Sequence, residues 1–528
     1  MSIKLNKFDY DLIEQYYMQN ILQNDFWVFC SHGLEDKKPV SQNTDFDSKE
    51  VLERAIFGTK YNQQDISFML PIIAWEQNRV YTQYDDKAVL KDQPFYVVVE
   101  PEIESGNYHI FKCLSNNNGV PSIQKPEFNP SIQNGIYQSD DGYIWKYMTL
   151  TPFTLFRKFA GRGLLPVLRN QEVESMADSG IYNILVENKN ENIGYERITG
   201  TVRSVNVENG ITEIFLRDLF SETTQSNPIF QVPNTYSNRS IFISKSGSSN
   251  SIGAIELRIR DSNVQGGFPV VTVSTPTGFT VEEEDKIEIL PRVEIIGDGT
   301  SATAIPVFND DNTRIDSIQM VTTGDNYTNA IARIVDPRFF DPTDASKQNI
   351  RCNIRPIVSP RGGHGSNVLK ELNVKHLGLS KTITSIGSNN IPTAGSYSKF
   401  AIVKNPEFDQ GFNDLTFDNR IKIEISNNQQ IEFGFQVGDV VTQGNVSGRV
   451  HEVVQDTNTI FVVDYEGPYT ETFVSNENLQ FKNENFVINS INYSPYKPNT
   501  GHVLTITDAT PIERDEERSE QIKIILDF

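Results

Sequence analysis

The chain has 528 residues, a formal net charge of -22 and 38% hydrophobic residues. That length calls for several domains rather than one core, and the apolar content argues against wholesale disorder. The acidic balance is a poor match for sheathing nucleic acid, because phosphates are held by clustered Lys and Arg, and no basic stripe with interleaved aromatics occurs.

The three cysteines, Cys30, Cys113 and Cys352, lie far apart and follow no ligand spacing. A disulfide framework is not expected, and a reducing compartment fits. The N-terminal stretch "MSIKLNKFDYDLIEQ" has no apolar signal core, and no run approaches the length that crosses a bilayer. The expectation is a protein made and folded in a cytoplasm, with no membrane and no nucleic-acid partner.

The first region mixes helix and strand. "FDYDLIEQYYMQNIL" places Phe8, Leu12 and Tyr16 on one helical stripe, with Ile13, Tyr17 and Ile21 beside it. "NDFWVFC" reads as a short apolar strand. "DSKEVLERAIFG" reads as a second helix, capped by Asp47 with Glu50 at the reciprocal position and ended by Gly58. "QPFYVVVEPE" and "YHIFKCLS" read as paired strands. In the second, His109 and Cys113 share a face but sit about 13 Å apart at strand rise, too far for direct proton transfer.

"SDDGYIWKYMTLTP", residues 139–152, follows. Asp140 and Asp141 run into Gly142, and then Tyr143, Trp145 and Tyr147 alternate on one face of a strand. Adjacent carboxylates point to opposite faces, so the pair reads as a solvated turn rather than a catalytic or metal pair. The three rings read as core or interface. Base stacking is the minor alternative, given the charge.

From about residue 180 the helical period disappears. "ERITGTVRSVNV", "TEIFLRDLF" and "AIELRIR" are short β runs between Gly, Asn and Ser turns. Residues 293–335 read as four strands joined by glycine and polar turns, with Gly297, Gly299 and Gly324 at positions suited to positive φ. "FGFQVGDVVTQGNVSGRVHEVVQDTNTIFVVDYEG" reads as a small barrel or sandwich. The fold class expected is mainly β with a minor α component, in several domains. Residues 1–180 form a mixed α+β region joined by 485–528, into which β-rich modules 181–350 and 351–484 are inserted.

Candidate chemistry is sparse. "VEEEDKIEIL", with Glu282, Glu283, Glu284 and Asp285, lacks calcium-loop spacing. "FNDDNTRID" offers Asp310 and Asn312, but Arg314 stands where an oxygen ligand belongs. "SPRGGHGSN", residues 359–367, is the best candidate loop, with Arg361 and His364 among glycines. It has neither a Walker lysine nor a nucleophile elbow, and His364 and His376 have no Glu or Cys at zinc-ligand spacing. A structural loop is the preferred reading. No catalytic residue, cofactor or metal is expected.

At "DDGYIWKYMTLTP" the sequence resembles a segment of the baseplate wedge protein encoded by gene eight of T-even-like contractile-tailed phages. Other stretches agree in order. These are "FWVFCSHGLEDKKPV", "ISFMLPIIAWEQNRVYTQYDD" with Trp75, Tyr81 and Tyr84, "YHIFKCLSNNNGVPSI", and the terminus "RSEQIKIILDF". The likeness covers about residues 8–155 and roughly the last thirty.

The resemblance implies a structural subunit and not an enzyme: a homodimer that binds other baseplate wedge subunits in the virion tail and helps hold the pre-contraction state. Tyr143, Trp145, Tyr147, Trp75, Tyr81 and Tyr84 are the structural or interface candidates, together with Ile522, Ile524, Leu526 and Phe528. These last four alternate in a period-two strand running to the final residue. That strand is expected to pair into a sheet of the N-terminal region. The alternative function is a tail-associated receptor- or glycan-binding β protein. A hydrolase would need two convergent carboxylates, which the sequence does not place.

Overall fold

The computed structural model describes residues 8–31, 45–88, 90, 93–101, 103, 106–188, 192–246, 255–384, 392, 395–426, 434–468, 471–514 and 519–527. It is mainly β, with several sheets and two closed barrels. Between residues 180 and 480 the described α-helix is one turn, Val368–Glu371. No described helix is long and apolar enough to cross a membrane. Two compact units emerge: Met1–Leu70 with Leu155–Pro166 and Val374–Phe528, and Pro71–Thr154 with Val167–Asn373.

The first unit holds a five-stranded sheet ordered Thr416–Asp418, Ala55–Lys60, Phe26–Ser31, Gly395–Lys404 and His502–Arg514. "FWVFCS" is buried along its whole length. It therefore lies mid-sheet with Trp27 and Phe29 packed on Phe417. The helix expected from "DSKEVLERAIFG" spans Asp45–Glu53, so Asp47 lies inside it rather than at its cap. Gly58 sits in the strand Ala55–Lys60 rather than ending the helix, because a Cβ there would come within 2.3 Å of the Phe417 ring. In the N-terminal helix Ile13 and Ile21 are buried, whereas Leu12 is exposed.

The chain end enters a four-stranded sheet of the same unit, in the order Ser519–Asp527, His376–Thr384, Ile66–Pro71 and Leu164–Val167. The direct neighbour of the terminal strand is His376–Thr384, and Ile66–Pro71 from the N-terminal region pairs on the far side. Ile522 is buried and Ile524 and Leu526 are half-buried. Phe528 lies outside the described residues. The opposite face of the strand is used as well. Ile525 packs against Met69, Phe159 and Leu164. Lys523 Nζ donates to the carbonyls of Arg157 (3.1 Å) and Ala160 (2.9 Å), at the end of helix Phe153–Phe159. A cation near the C-terminus of a helix can bond carbonyls that the helix's own ladder does not use.

The module expected as a barrel or sandwich is a closed six-stranded barrel, Ile421–Ile425, Thr459–Glu466, Val446–Val454, Val440–Gln443, Asn478–Phe481 and Glu484–Asn492. Its core includes Ile423, Val441, Val450, Ile460, Leu479 and Ile488. Each such side chain contributes about 1.5–3 kcal/mol when fully buried.

The second unit holds a comparable barrel built from strands between Ile198 and Leu290. Residues 293–335 form the four expected strands, Arg292–Gly297, Thr303–Phe308, Ile315–Thr322 and Ala330–Val335. Gly324 has φ +62. Gly297 and Gly299 do not adopt positive φ; they are required by close approach. A Cβ on Gly297 would lie 2.4 Å from Asn329 O, and one on Gly299 would lie 2.5 Å from Asp325 O and against the Tyr327 ring. Tyr327 pins this turn cluster, its hydroxyl accepting from Ala302 N. The sheet that positions the candidate site is ordered Tyr96–Val99, Tyr108–Asn116, Tyr143–Thr151 and Ile136–Gln138.

Candidate functional site

"YHIFKCLSN" and "YIWKYMTLT" run antiparallel, and their register sets Phe111 opposite Tyr147, Lys112 opposite Lys146 and Cys113 opposite Trp145. Directly opposed residues share a face and neighbours along a strand alternate. The rings therefore occupy one face and the two lysines the other.

On the aromatic face Tyr143, Trp145 and Tyr147 are all buried. Tyr143 stacks on Trp145 at 5.3 Å, and Tyr81 meets Trp145 edge-on at 5.6 Å. Tyr147 packs against Phe111 and Phe128, and Phe111 in turn meets Tyr137 edge-on. Trp75 donates through Nε1 to Ser122 Oγ. The rings are thus core, not a stacking platform.

The turn before them is held by Asp141. Its carboxylate accepts from Ser122 Oγ, Ser139 Oγ and the backbone amides of Ile123, Gln124 and Tyr143. Burial raises its pKa, but these bonds outweigh that and hold it below the ordinary carboxylate value. Asp141 is a fixed structural acceptor rather than a solvated turn residue, and Asp140 does not join it.

The lysine face carries the chemistry. Lys112 and Lys146 are both fully buried. The loop "SPRGGHGSN" covers them. Gly363 and Gly365 have φ near +95, and a Cβ on Gly365 would lie 2.8 Å from Lys146 Cε. Only glycine combines that backbone with that approach. His364 is buried between them, and its backbone forms a two-way bridge with Asp178. His364 Nδ1 lies 3.1 Å from Lys112 Nζ. A protonated lysine is a donor only, so Nδ1 is the acceptor nitrogen and the ring proton sits on Nε2.

Glu371 completes the cluster from helix Val368–Glu371, which Asn367 caps by accepting from Lys370 N. Glu371 Oε2 lies 2.6 Å from Lys112 Nζ, with both side chains buried. Its Oε1 accepts from Gly365 N (2.8 Å) and Asn367 N (3.2 Å). The Tyr84 ring lies 4.0 Å below Lys112 Nζ and meets His364 edge-on at 5.0 Å. Lys146 Nζ donates instead to the carbonyls of Asn134 and Met176. Asp178 accepts from Gly180 N and Tyr182 Oη, and the Tyr182 ring also packs on His364.

Burial governs the electrostatics. It pushes Lys112 below its usual value against the opposing pull of Glu371. Lys146 falls to about 8, chiefly through burial. His364 is held well below the ordinary histidine value by burial, then by Lys112 and Lys146, so it is neutral. Tyr84 is raised, by burial first and then by Glu371, Asp86 and Asp85. The arrangement holds the Lys112 amine against both a carboxylate and a neutral imidazole, with all three side chains buried.

The other sequence candidates stay local. Asp285 is buried and accepts from Glu282 N and Lys245 Nζ, closing its own turn. Asn309, not Asp310, organises "FNDDNTRID" by accepting from Thr313 N and Arg314 N. His109 stacks on Phe128 at 5.1 Å, and Cys113 is buried with its thiol pushed up by burial. His376 belongs to the other unit, where its Nδ1 lies 2.6 Å from Asp527. Among the described residues no group of three or more His, Cys, Asp or Glu could hold a metal. Sequence reasoning found His364 and Tyr84 but missed Lys112, Lys146, Glu371 and Asp178. The available signal was a lysine inside each aromatic β run, "FKC" and "WKY".

Comparison of the chain with protein-family models and with curated proteins finds no match to either.

Proposed function

We propose that this chain is a structural component of a phage tail baseplate wedge, linking wedge subunits and helping to hold the pre-contraction baseplate. The observation that carries the reading is the shared order of family-like stretches, from "FWVFCSHGLEDKKPV" through "DDGYIWKYMTLTP" to "RSEQIKIILDF". Its partners on this reading are a second copy of the chain and other wedge subunits, and its location is the virion. Closed β modules with cores of their own suit a part that must transmit load without rearranging. The polar residues buried beside the resembling strands are spent on one another rather than aimed outward.

One observation favours the second reading, a receptor- or glycan-binding protein. On the barrel between Ile421 and Asn492, Tyr465 and Tyr493 are 38% and 47% exposed, with their hydroxyls bound to the carbonyls of Glu471 and Phe473. Rings fixed in this way can pack on a sugar face. Negative-stain imaging of virions labelled against this chain separates the two. Label around the baseplate is expected; label at fibre tips, or none on the virion, overturns the proposal.

A further inference from the structure

We propose that Lys112 and Glu371 are joined by an intramolecular amide, formed by condensation of the Lys112 ε-amine with the Glu371 side-chain carboxyl within their sealed cluster.

Three features of the geometry converge on this bond. The reacting groups are already in contact, with Nζ 2.6 Å from Oε2 and both side chains buried. Intramolecular groups in a well-oriented geometry reach effective concentrations of up to about 10⁵–10⁸ M. The second carboxyl oxygen, Oε1, sits against two backbone amides, Gly365 N at 2.8 Å and Asn367 N at 3.2 Å. Paired N–H donors of this kind stabilise the oxyanion of a tetrahedral intermediate. A base stands beside the nucleophile, His364 Nδ1 at 3.1 Å from Nζ, kept unprotonated by its surroundings. Tyr84 closes the far side of the amine.

The step balances without an outside reagent. Transfer of one proton from the Lys112 ammonium to Glu371 Oε2 converts the ion pair into a neutral amine and a carboxylic acid. Nζ then attacks Cδ, and the C=O electron pair moves onto Oε1, between the two amides. His364 Nδ1 takes a proton from the attacking nitrogen and returns it to Oε2. The C–Oε2 bond breaks, water leaves, and the carbonyl re-forms on Oε1. The products are one amide and one water, with no change in oxidation state. Lys146 is not the nucleophile, because its Nζ is directed at the carbonyls of Asn134 and Met176.

The bond would tie strand Tyr108–Asn116 to helix Val368–Glu371 across 259 residues of sequence. It adds a covalent lock to the proposed load-bearing role but is tested independently of it, since the readout is the mass of the isolated chain.

The test is intact mass spectrometry of the folded full-length chain, denatured just before measurement, with a tryptic map. The expected mass is lower than that of the sequence by one water. Trypsin should fail to cut after Lys112, and one branched peptide should carry both residues. Glu371→Gln offers the same acyl carbon with ammonia as the leaving group, so it should reach the same final mass as the bonded wild type. Lys112→Arg should keep its full mass. A wild-type chain that keeps the full sequence mass after prolonged folded incubation, and is cut after Lys112, overturns the proposal. So does a water loss that persists in Lys112→Arg. The wild-type result decides the question even if a variant fails to fold.

Discussion

Lys112 and Lys146 stand directly opposite one another in an antiparallel ladder, and both are fully buried. Like charges so placed repel, and each loses its hydration. The fold accommodates them by giving each a different outlet: Glu371, His364 and the Tyr84 ring for Lys112, two loop carbonyls for Lys146. Breaking a buried pair by removing one partner costs about 3–5 kcal/mol.

Lys146 titrates at about 8 in the folded chain against 10.5 when free. Between those values the unfolded chain binds more protons, so stability rises as pH climbs through that window. The gain from this group is about 3 kcal/mol across it, at about 1.4 kcal/mol per unit. Urea unfolding near pH 7.5 and near pH 9.5 should show the rise in the wild type, and Lys146→Met should reduce it, leaving the part contributed by Lys112, which burial also lowers. An equal rise in both proteins would contradict the assignment.

His364 gives the acid limb. It is held well below 6.5 by burial and by both lysines, so below about 6.5 the unfolded chain takes up a proton that the folded chain refuses. Stability therefore falls with falling pH, by about 1.4 kcal/mol per unit from this group. His109, also lowered by burial, acts in the same direction. His364→Asn should remove part of the slope between about pH 6.5 and 5 and leave the His109 part. Guanidinium midpoints over that range measure it.

Trp145 is buried, stacked on Tyr143 and met by the edge of Tyr81. Trp145→Ala should cost about 3–5 kcal/mol. Unchanged thermal melting would show that the ring face is not the core of its sheet.

The terminal strand is a two-sided part. Deleting residues 521–528 should strip the pairing partner from His376–Thr384 and give insoluble protein. Lys523→Met should be milder, about 1 kcal/mol, because it removes only the cation at the carbonyls of Arg157 and Ala160. A soluble truncation with unchanged melting would reduce the strand to a passive tail.

Much of the fold was written in local pattern. Alternation of apolar and polar residues set the strands, including Ser519–Asp527, and turn residues spaced the module at 293–335 and the barrel beyond residue 420. Burial of Tyr143, Trp145 and Tyr147 on one face also followed from a period of two. Where local pattern misled, a tertiary contact was the reason. Gly58 looked like a helix end but makes room for Phe417, and Gly297 and Gly299 looked like positive-φ turns but make room for backbone and Tyr327. The lysine cluster was beyond sequence for the same reason. Its members come from two strands, a glycine loop and a one-turn helix, and the residues Lys112 and Glu371 lie 259 positions apart. Periodicity tells which face a side chain takes, whereas only the packed register decides which distant groups meet there and which of them lose their water.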